Sequence, residues 1–357
     1  MWVMEGRQSR AKADQQSVRA GVLSIVNPRI VDIAFLMLLG VLAVKDYSSV
    51  STYQVPFSDG AAYLLNARDW LMNLPLYQIY RPPLISWLTA SVWAISGENW
   101  HNVKYLSAFF GICSASVLYL TLRRDKGAAF ALGVAALTAI NPQVFFYGSQ
   151  LLTESLSLFF VLATLYFVKS DSPRCWLLAG ACIGLTFASR YPIVLQAGAL
   201  AVVESYARKN WRMLIRAIAG AVPVVAAVIL MVFLKTGTFQ TALPKDSGLT
   251  IFLSPYFLQN SVLTWGWIFS LVPFALVMRG TYADRYNYVF IAWLVLSMIF
   301  WSANANPAME QLRFTIQFTP AVNFLALLPV ESFVKNTKPI LEFLSKELIF
   351  IPKKHAF

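Results

Sequence analysis

The sequence predicts an all-α polytopic membrane bundle of about ten transmembrane helices, with amphipathic helices lying at the membrane surface in its first external loop. Three observations carry that prediction. Of the 357 residues, 58% are hydrophobic and only 13% are charged, with a mean hydropathy of +0.59, a balance outside that of soluble domains. Apolar runs of roughly 15–20 residues, close to the length a helix needs to cross hydrocarbon, recur along the whole chain. The basic residues also sort by side when those runs are threaded alternately through a bilayer.

Taken in order, residues 1–29 form a basic cytoplasmic tail (Arg7, Arg10, Lys12, Arg19, Arg29) with no removable signal peptide in evidence. Residues 30–44 make a first, short span that serves as an uncleaved anchor. Residues 46–102 then lie outside. Within them Gly60 to Leu74 places Ala61, Leu64, Ala67, Leu71 and Leu74 on one helical face, opposite polar residues, a pattern that suits a helix in the interface. Pro82 to Ile95 reads as a second surface helix, opened by proline and carrying Trp87 and Trp93, residue types that favour the headgroup level.

Further spans fall near 103–122, 127–146, 152–168, 175–189, 192–207, 214–234, 261–278, 286–302 and 313–330. A second external loop at 235–260, punctuated by Pro244, Gly248 and Pro255, suits a lid over a site as well as a plain connector. Residues 331–357 form a cytoplasmic tail whose alternating charged and apolar residues lie on the inner leaflet. The membrane domain is thus 30–330. With the N-terminus inside, 21 of the 29 Lys and Arg fall on the cytoplasmic side, and treating Pro82 to Ile95 as a full span would reverse that bias. The net charge of +12 is therefore accounted for by topology, and no nucleic-acid partner is expected.

The chemistry available is narrow. Cys113, Cys175 and Cys182 all sit in apolar runs, and His101 and His355 are the only histidines. Neither a disulfide framework, a polyhistidine metal site nor a His-based triad fits. Carboxylates and arginines remain. The threading collects Asp59, Arg81, Glu154, Arg190, Glu310 and Arg313 at the outer face, although they are spread over about 250 positions of sequence. Charged groups at span ends are costly unless they share a wet cavity or a partner, so their convergence marks a candidate site.

Each of these residues also has a structural role open to it. Asp59 suits the first turn of the surface helix, where backbone N–H groups favour an anion, and a carboxylate stabilised there stays ionised as a general base must. Arg81, ahead of Pro82-Pro83, is either an interface anchor or a fork for phosphate oxygens. Glu154 fits a structural ion pair as well as a substrate contact. Arg190 and Arg313 fit membrane-edge anchors as well as phosphate ligands, and Tyr63 suits interfacial packing one turn after Asp59.

In this order the features resemble the GT-C superfamily of membrane glycosyltransferases, and most of all its branch of protein O-mannosyltransferase-related and lipid A aminoarabinose-transferase-like enzymes. Ser58-Asp59-Gly60 is similar to that family's first-loop acid before an amphipathic helix. Tyr80-Arg81-Pro82-Pro83-Leu84 resembles its basic residue before Pro-Pro-Leu. Asn141-Pro142 followed by Thr153-Glu154-Ser155 matches a span ending in Asn-Pro and an acid opening the next, and Gly184-Leu185 to Arg190 matches a Gly-Leu segment that ends in lysine. Glu310-Gln311-Leu312-Arg313-Phe314 is similar to the Glu-x-x-Arg-Phe part of a signature of dolichyl-phosphate-mannose-dependent mannosyltransferases. The chain departs from the pattern in having a lone first-loop acid and in lacking a histidine that often opens the last signature.

The resemblance implies a polyprenyl-phosphate-linked sugar donor, with mannose favoured, and a hydroxyl acceptor on a protein, glycan or lipid at the outer or lumenal face. It implies Asp59 as the general base of an inverting transfer. Arg81, Arg190 and Arg313 would bind the donor phosphate, with Tyr63, Tyr80, Glu154 and Glu310 supporting substrate. A lone carboxylate makes a poor cage for a divalent ion, so no metal or other cofactor is assigned, and a divalent metal is not favoured. Outside this family a secondary transporter, a flippase for a polyprenyl-linked substrate and a non-catalytic scaffold stay open. A transporter would be marked by paired interrupted helices carrying mid-membrane charges, which the sequence does not show.

Overall fold

The computed structural model describes residues 27–52, 56, 58–239, 289–294, 319–325 and 327–328, and the described residues form helices and connections without strands. α1 is Pro28–Ser51, opened by proline and by Asn27, whose side chain accepts the Arg29 N–H at 3.0 Å. Its 24 residues reach ~36 Å, well beyond the expected 30–44. The apolar run stops at Val44 but the helix does not. Ser48 and Ser51 donate their hydroxyls back to the carbonyls of Lys45 and Ser48, at 2.8 and 2.7 Å, so the last turns carry polar side chains without losing backbone bonds.

Two surface helices follow. α2, Ser58–Leu71, and α3, Leu84–Ser96, pack on each other. The face that α2 buries is Gly60, Ala62, Tyr63, Asn66 and Ala67, while Leu65, Leu71 and Leu74 are exposed. The expected apolar stripe is therefore turned partly outward. In a membrane-bound helix leucine gains as much from lipid as from protein, and small residues let α3 come close. α3 begins after Pro83, which already has helical dihedrals and stands just before the helix rather than inside it.

The bundle proper starts with α4, Trp100–Val103, and α5, Leu106–Lys126. Gly127, at φ 89°, turns the chain directly into α6, Ala128–Ala139, a left-handed position that favours glycine. The expected single span 127–146 is broken here. Pro142 cannot donate a backbone N–H, and Asn141 accepts the Val144 N–H at 3.2 Å to start α7, Pro142–Gly148, as a separate helix.

α8, Thr153–Val168, is the central element, buried along most of its length and packed by α5, by α9 (Pro173–Ser189) and by α10 (Val194–Ala207). A 3₁₀ turn at Tyr191–Ile193 joins the last two. α11, Trp211–Thr236, then crosses back against α9. Helical pieces at 289–294, 319–325 and 327–328 fall inside two of the expected later spans, and Phe290 stacks on Phe324 at 4.0 Å.

By length and composition, two helical stretches among the described residues suffice to cross a membrane, Trp100–Lys126 and Trp211–Thr236, and Leu84–Ser96, Ala128–Ala139 and Thr153–Val168 are shorter apolar helices. At the far end of α8 from Glu154, Lys169 reaches Glu204 on α10 at 2.8 Å, and Arg208 binds the other oxygen of the same carboxylate at 2.8 Å. Arg123 and Tyr119 on α5 hold Asp32 near the start of α1. The expected spans leave Arg123, Lys169 and Arg208 just past their ends, while Asp32 and Glu204 fall within the spans 30–44 and 192–207. They tie the helix ends together.

The contact of α9 with α11 rests on missing side chains. A Cβ on Gly180 would lie 1.9 Å from the Ala217 carbonyl oxygen, and one on Gly220 would lie 2.1 Å from that of Leu177. Small residues allow such backbone approach in lipid. Gly180→Leu should force the two helices apart and cost ~3 kcal/mol or more, read as a large drop in thermal unfolding midpoint in detergent. Gly198→Leu, with open space around its Cβ, should leave the midpoint nearly unchanged.

Candidate functional site

Asp59 sits in the first turn of α2, where the exposed N–H groups and the helix dipole favour a carboxylate. The chain then has to return. Asn66 does this with both ends of its amide, accepting the Gln78 N–H and donating to the Gln78 carbonyl, each at 2.9 Å, while Asp69 accepts the Tyr77 N–H at 2.8 Å. The returning loop carries Arg81 onto Asp59, with Nη2 to Oδ1 at 2.8 Å and side chains only 16% and 23% exposed.

Arg81 is held on several sides. Its Nε donates to the Gln78 side-chain carbonyl, and its guanidinium lies over the Tyr63 ring at 5.0 Å and near the Tyr80 ring at 5.8 Å. Burial works against the charge of Arg81, but the hydrogen bond and charge of Asp59 and the electrostatic and hydrogen-bond contact of Tyr63 outweigh it and hold the guanidinium pKa above its usual value. The rigid Pro82-Pro83 that follows limits how far the backbone there can move.

A second pair lies beside the first. Glu154, in the first turn of α8 and fully buried, accepts from Arg190 Nη1 at 2.5 Å. Arg190 ends α9 in an extended conformation (φ −161°, ψ 103°), which swings its side chain away from the helix while its N–H still closes on Thr186. Two contacts join the pairs into one centre. The Tyr191 hydroxyl donates to the Arg81 carbonyl at 3.4 Å. Gly60, next to Asp59, packs on the residue chain leading into α8, where an added Cβ would come within 3.1 Å of the Leu151 carbonyl oxygen.

The structure thus brings together Asp59, Tyr63, Tyr80, Arg81, Glu154 and Arg190 from the sequence-predicted set. Glu310 and Arg313 lie outside the described residues, as does most of the 235–260 loop. Sequence reading missed Asn66, Gln78 and Tyr191. Only Gln78 carried a signal, its position one helical step before Arg81 in the same short loop. Among the described residues no three His, Cys, Asp or Glu side chains converge to hold a metal ion.

What the centre offers chemically is a carboxylate that accepts protons beside guanidinium groups suited to phosphate oxygens. Glu154 and Arg190 test how much of it is self-supporting. Arg190→Leu removes this partner from a buried carboxylate and should cost ~3 kcal/mol in thermal unfolding. Adding Glu154→Gln to that variant should restore a good part of the loss, the double-mutant signature of a buried pair.

Comparison with known proteins bears on this centre. Residues 80–237, beginning beside Arg81 and ending after α11, match the family described as dolichyl-phosphate-mannose-protein mannosyltransferase. Lipid A galacturonosyltransferase RgtD of Rhizobium johnstonii is 29% identical over 183 residues, covering 49% of this chain and 37% of that protein. The crystal structure of ArnT from Cupriavidus metallidurans bound to undecaprenyl phosphate superposes with a TM-score of 0.67 at 16% identity, covering 82% of this chain and 59% of that one. The apo structure of the same protein gives 0.65 and 58%. At such identity the likeness is one of fold, and this chain spans less than two thirds of the length of the relatives it matches.

Proposed function

We propose that this chain, which has the GT-C fold of polytopic membrane glycosyltransferases, is itself a glycosyltransferase that moves a sugar from a polyprenyl-phosphate donor to an acceptor hydroxyl. The observation that carries the proposal is the Asp59–Arg81 pair at the mouth of α2, set beside Glu154–Arg190. The match to a mannosyltransferase family and the undecaprenyl phosphate named with the ArnT structure support the donor class. Mannose is the favoured sugar, and the acceptor is a protein, glycan or lipid. The site faces the outer or lumenal side of the membrane, with both tails cytoplasmic.

In this mechanism the resting pair neutralises itself, so neither charge stands bare at the membrane edge. A donor phosphate competes for the Arg81 guanidinium and thereby loosens its hold on Asp59. The freed carboxylate takes the proton of the acceptor hydroxyl, the hydroxyl oxygen attacks the anomeric carbon, and the bond to phosphate breaks with inversion. Arg81 and Arg190 stabilise the negative charge that grows on the leaving phosphate, an electrostatic task that needs no metal. Glu154 keeps Arg190 in place, Tyr63 and Tyr80 flank the Arg81 guanidinium, and Arg313 and Glu310 complete the site from the later spans.

Transfer of radiolabelled sugar from polyprenyl-phosphate mannose, and then from other polyprenyl-phosphate sugars, to added protein and lipid acceptors tests this reading. Asp59→Asn should lower the turnover by ~100-fold or more with the protein still folded, and a fully active variant would remove Asp59 from the role of base. Arg81→Ala should act mainly on the donor, raising its KM by ~10-fold or more, with Arg81→Lys intermediate. An unchanged donor KM in Arg81→Ala would assign the phosphate elsewhere.

A further inference from the structure

The segment that leaves α11 folds back onto the centre at two places. α11 ends at Gly237, whose left-handed φ of 71° turns the chain while its N–H closes on the Phe233 carbonyl at 2.7 Å. Just before that turn, the Lys235 ammonium donates to the Asn73 side-chain carbonyl at 2.7 Å and lies 5.6 Å from the centre of the Trp70 ring. Just after it, the half-buried Phe239 stacks on Phe187 of α9 at 6.2 Å and meets Tyr191 edge-on at 5.7 Å. Phe187 itself lies 4.9 Å from Tyr191.

Asn66 and Asp69 fix the return loop to α2, so Asp59 and Arg81 are set relative to each other. Setting that unit against Glu154 and Arg190, which belong to α8 and α9, takes contacts with the bundle. Besides the close approach of Gly60 to Leu151, two such contacts reach the loop at its ends. Lys235 joins α11 to Asn73, which leaves α2 at φ 55°. Tyr191, the residue after Arg190, joins α9 to the Arg81 carbonyl. The Tyr191 ring is flanked by Phe187 and Phe239, so its hydroxyl keeps its direction. Arg81 closes its own N–H on the Gln78 carbonyl at 3.4 Å and is followed by a locked proline. Its carbonyl is the remaining handle on its backbone, because the peptide plane carries it rigidly.

We propose that Lys235 and Phe239 are positioning residues that fix the spacing of Arg81 from Arg190, so that both guanidinium groups reach the oxygens of one phosphate. This role rests on the polyprenyl-phosphate donor proposed above, and it extends the site to two residues outside the centre. Lys235 acts through Asn73, and Phe239 acts through the Tyr191 hydroxyl. Two cations gain together from one anion only when both are in reach of it, and a displacement of ~1 Å loses much of that gain.

The test uses the full-length protein in detergent, with undecaprenyl phosphate as the probe of binding and phenylglyoxal, read peptide by peptide by mass spectrometry, as the probe of the arginines. Phe239→Ala and Lys235→Met should each weaken binding by ~10-fold, with Phe239→Tyr and Lys235→Arg close to wild type. Tyr191→Phe should weaken it too, and Phe239→Ala should add little to Tyr191→Phe, because the two act in series. In Phe239→Ala and in Lys235→Met, phenylglyoxal should modify Arg81 severalfold faster, with Arg190 unchanged and the unfolding midpoint near that of wild type. Arg81 modified at the wild-type rate in either variant, both arginines modified faster together, or additive effects of Tyr191→Phe and Phe239→Ala would each overturn the proposal. Wild type that binds no undecaprenyl phosphate would instead remove the donor class, and Arg81 modification would still decide whether Lys235 and Phe239 hold that residue in place.

Discussion

The ion pair between Asp59 and Arg81 is the constraint on which the centre depends. Two largely buried charges are tolerable because each is the other's partner, and the pair forms only if the chain reverses within 22 positions. The reversal is enforced locally. Asn66 and Asp69, one helical turn apart in their hydrogen-bonding duties, capture the backbone of Tyr77 and Gln78 before it reaches the arginine. Had those side chains been apolar, α2 would still lie on the membrane, but nothing would return Arg81 to it.

The second pair depends on backbone geometry. Glu154 can be fully buried because it lies in the first turn of α8, where unpaired N–H groups favour an anion, and because α9 stops at Arg190 instead of continuing. A helical Arg190 would direct its side chain along α9. The extended residue releases it toward Glu154 and, in the same move, aims Tyr191 at the Arg81 carbonyl. One interruption of helix between α9 and α10 therefore serves both pairs.

Much of this was legible in the sequence because lipid makes hydropathy a strong signal. The apolar runs that open at 103, 152, 175, 192 and 214 each overlap an observed helix over most of their length. What hydropathy could not convey is where a helix ends when its last turns are polar, as in α1, or where a run breaks without losing hydrophobicity, as at Asn141-Pro142. It also misplaced the buried face of α2, since lipid and protein reward leucine alike while only protein rewards the small Ala67 against α3. The residues of the centre were legible by charge and order. An ion pair was one of the two roles open to Glu154, and it forms with Arg190. The Asp59–Arg81 pair was not legible, because Arg81 was read as an interface anchor or a phosphate fork, whereas it already holds a carboxylate. Glu310 and Arg313 lie outside the described residues.

Pairing changes what the arginines mean. A free guanidinium would attract any anionic lipid within reach, and the site would be occupied by whatever is most abundant. Paired to a carboxylate, it yields only to a ligand that offers more than Asp59 does, and a phosphate with several oxygens on a planar fork meets that condition where a single weak contact does not. Selectivity then comes from the exchange itself. In the proposed transfer, the same exchange turns a neutralised carboxylate into an available base once the donor is in place. Under the proposed function, general-base catalysis is conditional on donor binding, because Asp59 is otherwise held by Arg81.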